Sequence, residues 1–426
     1  MSTKIGYLIP EFPGQTHAFF MRERAKLAAL NVQTDLVSTR QPVNGQAQHA
    51  WADKAAAETT YLAPMTFRSM VSAAVELIRS GPFGLARAAG TVMCSPDLSL
   101  KQRLNLAMFI PAGAGLKAIA RKNGWNHIHV HSCANAANVA LFAHRLGGIE
   151  YSMTLHGPLK DYGPNQKSKW KHSAFDVIIT EDLIQEANQQ LEGLLPNRIF
   201  LAPMGVEVDR FCRTTDYSPA NRTDTVRLIS CGRINPCKGH DDLIRAVAEL
   251  KHRGIDCQLS ICGATDSRRI DYRDSLLSLA GELGIEDRIK LLGSVSELEV
   301  RDELEKAHFF CLASHKEPLG VATMEAMAME LPCIVTNSPG VAEMIQHEAD
   351  GILVPAHQPA AFAVAIENML DNPFAAQQIA RKGRATVCER FHSGVSAEVI
   401  RDGVAGRTPR PRNQKANVHS GKGVTA

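Results

Sequence analysis

The sequence predicts an α/β protein built from two doubly wound parallel sheets, one in each of two domains. Three observations carry that expectation. Short apolar runs alternate with helical patterns along most of the 426 residues. The runs are apolar at successive positions, as in strands covered on both faces. The alternation also comes in two series, separated by the polar stretch CRTTDYSPANRTDT (212–225), in a chain longer than a single core usually organises.

The first series has strand candidates at 5–10, 33–39, 128–132, 151–157, 177–180 and 199–203. The second has them at 226–232, 257–263, 289–293, 309–314, 332–337 and 351–355. Amphipathic patterns at 16–30, 135–146, 239–252, 269–284, 297–306, 319–330 and 358–371 supply the crossover helices. One region departs from the scheme: 64–122 reads as two or three helices inserted between strands. From Thr59 to Glu150 the chain carries Arg68, Arg79, Arg87, Lys101, Arg103, Lys117, Arg121, Lys122 and Arg145, and before Glu150 only Glu76 and Asp97 oppose them. Two readings stand for these helices. They cover the first sheet with solvated outer faces, or their basic face rests on an anionic membrane or grips a phosphorylated lipid acceptor.

Composition narrows the function classes. A net charge of +3 gives no reason to expect nucleic acid as a partner. The ten cysteines form no C-x-x-C pair, and several sit in apolar runs such as LISCG and LPCIVT, a usage that suits a reducing compartment. The amino terminus lacks a basic segment followed by a long apolar one, and no apolar run reaches spanning length. The expectation is a cytoplasmic chain, with peripheral attachment to the inner face of a membrane as the second reading of 64–122. From Gly406 to Ala426 the chain is polar and basic, and a disordered tail is expected.

In parallel sheets ligands bind beyond the carboxyl ends of the strands, so residues there are the chemical candidates. After the strand at 309–314 comes HKEPLGVATMEAMA. Glu317 lies in the loop, and a helix starting near Leu319 would leave the amides of Leu319, Gly320 and Val321 without intrahelical acceptors. Such a helix end binds phosphate. Glu325 lies on the same helix, roughly 12 Å further along, a span comparable to an extended diphosphate sugar. Taken alone, two such glutamates are more often a solvated acid and an ordinary helix residue. A second strand end, GRINPCKGHDD, adds Arg233 and Lys238 on the same sheet edge, a forked and a point cation suited to a diphosphate. The first half adds Gly14, Gln15 and Thr16 in PEFPGQTH, His131 in IHVHS and His156 in YSMTLHG, each at a strand's carboxyl end.

At these residues the chain resembles a known family. EPLGVATMEAMAMELPCIVTNSPGVAEMI closely resembles the E-x7-E signature of the retaining glycosyltransferases of family four, whose GT-B fold sets two Rossmann-like domains across a cleft. GRINPCKGHDDLIRA looks like the family's Gly-Arg-loop-Lys-Gly stretch, and PMGVEVDRF (203–211) looks like its strand-to-linker segment. IPEFPGQTHAFFMRE resembles the first loop of the branch associated with colanic acid and other exopolysaccharides. The resemblance runs from about residue 4 to residue 400 and is most specific from 226 to 355.

The resemblance implies an acceptor-side domain over 1–205, a nucleotide-sugar domain over 206–386, and a helix over 387–405 that crosses back to the first domain. It implies that Glu317 binds the transferred sugar, that Leu319, Gly320 and Val321 offer amides to sugar and diphosphate, and that Glu325 accepts from the ribose hydroxyls. Arg233 and Lys238 would neutralise the departing nucleoside diphosphate. His131 and His156 would contact the donor sugar or its phosphate, Gly14 would let the first loop approach the diphosphate, and the Val295 backbone would contact the base. Met204, where the family usually has Asn, and Leu319, where it often has an aromatic residue, are departures. The implied activity is transfer of a sugar from a nucleotide-sugar donor to a glycan or lipid-linked acceptor with retention of configuration, in exopolysaccharide or cell-envelope synthesis. The nucleotide sugar is a substrate and no cofactor is implied. No Asp-x-Asp motif stands at a strand end, so no divalent metal is expected. The alternatives are a nucleotide-sugar-binding partner subunit without turnover, or a GT-B hydrolase or epimerase of nucleotide sugars. A nicotinamide dehydrogenase is disfavoured because no G-x-G-x-x-G follows the first strand.

Overall fold

Residues 3–15, 17–42, 49–265 and 270–409 are described in a computed structural model. Thr16, and the expected tail from residue 410 onward, lie outside the described residues.

The first unit runs β1 (Thr3–Glu11), α1 (Ala18–Ala29), β2 (Val32–Arg40), α2 (Ala52–Glu58), β3 (Thr60–Tyr61), α3 (Phe67–Arg79), α4 (Gly81–Met93), α5 (Leu100–Ala107), α6 (Phe109–Asn123), β4 (His127–Val130), α7 (Asn135–Gly147), β5 (Glu150–Leu155), α8 (Gln166–Lys171), β6 (Phe175–Ile178), α9 (Glu181–Leu191) and β7 (Ile199–Leu201). The second runs β8 (Val226–Cys231), α10 (His240–His252), β9 (Cys257–Cys262), α11 (Ile270–Glu282), β10 (Ile289–Gly293), α12 (Glu297–Lys306), β11 (Phe309–Leu312), α13 (Val321–Ala328), β12 (Cys333–Thr336), α14 (Pro339–Met344), β13 (Ile352–Val354) and α15 (Pro359–Asp371). Two closing helices follow, α16 (Pro373–Arg390) and α17 (Gly394–Val404).

Both sheets are doubly wound, as the strand–helix alternation predicts. Their orders are β3-β2-β1-β4-β5-β6-β7 and β10-β9-β8-β11-β12-β13. All paired strands run parallel. In each sheet the order reverses beside the first strand, so that the crevice where helices diverge opens at the carboxyl ends of β1 and β4, and of β8 and β11. One apolar cluster runs without interruption from Leu8 and Val130 in the first sheet to Phe310 and Val335 in the second and Met324 of α13.

Four expectations need correction. The insert holds four helices, because α3 gives way directly to α4 at Ser80, where Gly81-Pro82 opens a new first turn, and α5 to α6 at Met108. The helix expected over 319–330 is shorter. Gly320, at φ +88°, caps α13, a backbone region that favours glycine, so Pro318 precedes the helix rather than opening it. Elements α2, β3, α8, α9 and α14 were not foreseen. The closing segment, finally, is two helices. Between them Val206 of the linker donates to Phe391 O and accepts from Ser393 N, and a Cβ on Gly205 would stand 2.2 Å from His392 O. The linker and the returning chain therefore form one tight crossing. Beyond it, Val395, Ala397 and Ile400 of α17 join Ile5, Tyr7 and Phe175 in the core of the first unit.

Candidate active site

The second unit contributes a compact group of charges at its sheet edge. β8 ends at Cys231, and the chain passes through Gly232 and Arg233 into a single 3-10 turn over Pro236–Lys238. Gly239 (φ +61°) closes the turn so tightly on β11 that a Cβ there would lie 2.1 Å from Ala313 O. This seats Lys238 beside the loop after β11, where its Nζ donates to Glu317 Oε2 at 2.5 Å. Ser314 Oγ donates to the same carboxylate at 3.0 Å, and Ser338 Oγ donates to Glu317 O at 3.2 Å. Gly340 allows the Glu317 loop to lie on α14, since a Cβ at 340 would meet Pro318 O at 1.7 Å. The amino end of α13 follows at once, with Leu319 and Gly320 buried and Val321 half-buried.

Arg233 is different. It is exposed, and its backbone carbonyl accepts from His240 Nε2 at 3.1 Å. Among the described residues no partner is recorded for its side chain, so the structure brings Lys238, Glu317 and the α13 terminus together and leaves Arg233 exposed outside their contacts.

The first unit faces this group. Gly157 and Pro318, the neighbours of His156 and Glu317, approach each other to 4.0 Å, measured from a Cβ built on the glycine. His131 Nδ1 lies 3.3 Å from His156 Nε2, with His131 buried and His156 half-buried. On its other side His131 Nε2 lies 2.9 Å from Glu23 on α1, and Tyr7 donates its hydroxyl to Glu23 at 2.6 Å. Burial pushes the Glu23 carboxyl up, but His131, Ser396 of α17 and Tyr7 together hold it below the usual glutamate range. Burial holds His156 neutral, well below the usual imidazole range, and puts His17 at about 4. Gly14 is required where it stands, since a Cβ would lie 2.8 Å from the His17 ring.

Sequence reasoning missed the residues that bridge the two units. Arg22, one turn into α1 and almost fully buried, reaches Glu325 Oε1 at 2.9 Å and Glu297 Oε2 at 3.1 Å. Its guanidinium also lies over the Phe211 ring at 5.2 Å. Arg210 completes the group with a 3.1 Å contact to Glu297. Burial raises the Glu325 carboxyl above its ordinary range in spite of Arg22. Gln15, just past Gly14, donates to Val295 O at 3.0 Å. The two groups expected to hold a nucleoside, Glu325 and the Val295 backbone, are thus both contacted by α1 and the loop before it. Gln15 stood among the strand-end candidates; for Arg22 the sequence signal was the adjacent pair Arg22-Glu23 in a helix that otherwise shows a core face.

Among the described residues two sets of ligating atoms lie within 4.8 Å of one another: Glu23, His129 and His131, and Asp242, His315 and His357. In the second, His315 Nε2 lies 3.1 Å from Asp242 Oδ2. In the first, His131 Nε2 faces Glu23 at 2.9 Å while His129 bonds outside the set, to Ser152 and Thr154. Among the described residues no helix is long and apolar enough to cross a membrane.

Comparison with known proteins agrees with this geometry. Residues 214–386 match the family described as glycosyl transferases group 1. A D-inositol 3-phosphate glycosyltransferase of Acidothermus cellulolyticus is 30% identical over 250 residues, covering 55% of each chain. An alpha-D-kanosaminyltransferase of Streptomyces kanamyceticus is 33% identical over 173 residues, 41% of this chain and 44% of its own. The chain spans about half the length of the curated relatives it matches. Among solved structures, a glycosyltransferase from Rickettsia africae superimposes with a TM-score of 0.70 at 17% identity, over 95% of this chain and 99% of its own. HepE of Anabaena, solved with UDP, does so with a TM-score of 0.70 at 16% identity, over 95% and 100%. The chain therefore has the GT-B fold, and its residues 214–386 are similar to the glycosyl transferases of group 1.

Proposed function

We propose that this protein transfers a sugar from a nucleoside-diphosphate donor to a glycan or lipid-linked acceptor with retention of anomeric configuration. The carrying observation is the convergence of Lys238, Glu317 and the α13 amino end opposite His131 and His156. In this reading the donor diphosphate lies against the α13 amides and Lys238, with Arg233 swinging in and Gly14 allowing backbone approach. As the C1–O bond to the diphosphate breaks, negative charge grows on the phosphate oxygens, and fixed cations and amide dipoles stabilise it. The acceptor oxygen bonds to C1 from the face the phosphate leaves. The proton of its hydroxyl passes to the departing phosphate oxygen, so a nucleoside diphosphate and a glycoside result. Glu317 and the two histidines hold sugar hydroxyls, and the neutral imidazole of His156 suits that work. The ribose hydroxyls bind Glu325 by exchanging for its contact with Arg22, and the base meets the Val295 backbone by exchanging for Gln15. No step in this scheme calls for a divalent metal.

The relatives support a nucleotide-sugar donor, HepE having been solved with UDP-glucose as well. The first-loop resemblance supports a place in exopolysaccharide or cell-envelope synthesis, with the acceptor met at the inner face of a membrane. The test is a thermal-shift series with UDP, GDP and ADP, followed by turnover of the matching sugars and anomer analysis of the product. One diphosphate should raise the melting temperature, as any ligand selective for the native state does. Lys238→Ala should cut turnover by roughly 100-fold or more. Absence of any diphosphate effect, or near-wild-type turnover of Lys238→Ala, would refute the reading.

A further inference from the structure

The inserted helices bury one side and leave the other exposed and apolar. Ala73, Ala88, Leu98, Leu106 and Ala114 turn inward onto Phe142 and Leu146 of α7. The outward side of α3 carries Phe67, Val71, Val75 and Ile78, one stripe at helical spacing directly opposite Ala73 and Glu76. Phe67 and Ile78 are each 79% exposed, and Phe83 at the start of α4 is 83% exposed. On α5, Leu100 and Leu104 repeat the pattern, and Met108 continues it at the junction with α6. Most of the large apolar side chains exposed anywhere among the described residues lie between 67 and 108. A monomer in water does not ordinarily carry such a surface unpartnered.

The charges around it are of one sign. Arg68, Arg79, Arg87 and Lys101 are exposed among the apolar residues. The two acids of the insert are both engaged: Glu76 is buried against Lys117 and Arg121, and Asp97 lies 3.6 Å from Lys167. A second copy docking face to face would set these cations against their own copies. An anionic lipid surface would neutralise them while receiving the apolar stripes, and long basic side chains reach past buried apolar groups to headgroups. None of these helices can span a bilayer, so the contact would be shallow and in the plane of the surface.

We propose that the outer faces of α3, α4 and α5 insert into the surface of an anionic lipid bilayer. This deepens the reading of the chain as an enzyme with a membrane-side acceptor. The insert is tied to the body of the first unit: Ser95, between α4 and α5, donates to Asn165 Oδ1 at 3.0 Å, in the segment that follows Gly157.

The test uses the full chain and vesicles of phosphatidylcholine with roughly 30% phosphatidylglycerol. Wild-type protein should cosediment with them, less well at high salt but still measurably, and far less with pure phosphatidylcholine. Phe67→Ser combined with Ile78→Ser should weaken partition by roughly tenfold or more. Phe83→Trp should show blue-shifted emission on the anionic vesicles and quenching by brominated lipid. Binding that high salt abolishes, with no emission shift, would overturn insertion. So would a concentration-dependent dimer of the wild type that the double variant dissolves. Donor turnover with a water-soluble acceptor is measured in parallel. The double variant should match wild type there, which separates failed docking from failed chemistry.

Discussion

Arg22 offers the sharpest quantitative test of how the two units are joined. Arg22→Met keeps the apolar stem over Phe211 and removes the cation that faces Glu325 at 2.9 Å and Glu297 at 3.1 Å. The three side chains are only 5, 15 and 9% exposed, so little solvent screening applies. Glu297 retains Arg210 at 3.1 Å, whereas Arg22 is the one ion-pair partner within 4 Å recorded for Glu325 among the described residues. Loss of one partner from a buried pair leaves the other charge uncompensated, at about 3 kcal/mol. Glu325→Gln lowers the same penalty by removing the stranded charge, so the double variant should lose clearly less than the two single losses added together. The expected coupling is about 2 kcal/mol. Urea unfolding of the four proteins measures it, and the core that continues across both sheets favours a single transition. A coupling below about 0.5 kcal/mol, the level of an exposed pair, would show that this contact does not hold the cleft shut.

Acid should destabilise the protein before its carboxylates titrate. Burial lowers His127 to about 3, and His17 and His240 to about 4. The unfolded chain therefore binds protons that the native state refuses, between the usual imidazole value and about 4. Stability is fully retained above pH 6.5 and falls towards pH 4, each such histidine contributing about 1.4 kcal/mol per pH unit. Asp176, Glu325 and Glu343, raised by burial, act in the opposite sense but are three groups against eight lowered histidines. Urea midpoints that stay level from pH 7 to pH 5 would contradict this. Gly340→Ala places a methyl 1.7 Å from Pro318 O and must displace the Glu317 loop; turnover should fall roughly 100-fold with diphosphate binding less affected, and unchanged turnover would show that the loop's position is immaterial. EDTA should leave turnover intact, and strict recovery by Mn²⁺ would point instead to a metal at a carboxylate–histidine group.

Much of the architecture was legible because its signals are local. Apolar runs with polar or glycine-rich ends mark strands, and 3.6-residue periodicity marks the helices between them. Once both series are parallel, the carboxyl ends of the strands must carry the ligand-facing loops, which is how Glu317, Lys238, His131 and His156 could be chosen before any coordinates. Local signals misplaced boundaries where geometry depends on a contact elsewhere. Gly320 caps α13 because of its left-handed backbone, and α16 ends where Phe391 meets Val206 of the linker.

Sequence alone therefore determined the strand and helix alternation, the two-unit division and the acids and cations of the second unit's edge, since each depends on residues close together in the chain. Tertiary structure alone decided that Arg22 lies against Glu325, residues separated by 303 positions, that Gln15 covers the Val295 carbonyl, and that the insert turns apolar side chains outward. Those facts follow from how one unit is placed on another and which helix face finds a neighbour. An amphipathic pattern shows that a helix has an apolar face, but only packing shows whether the protein itself covers it.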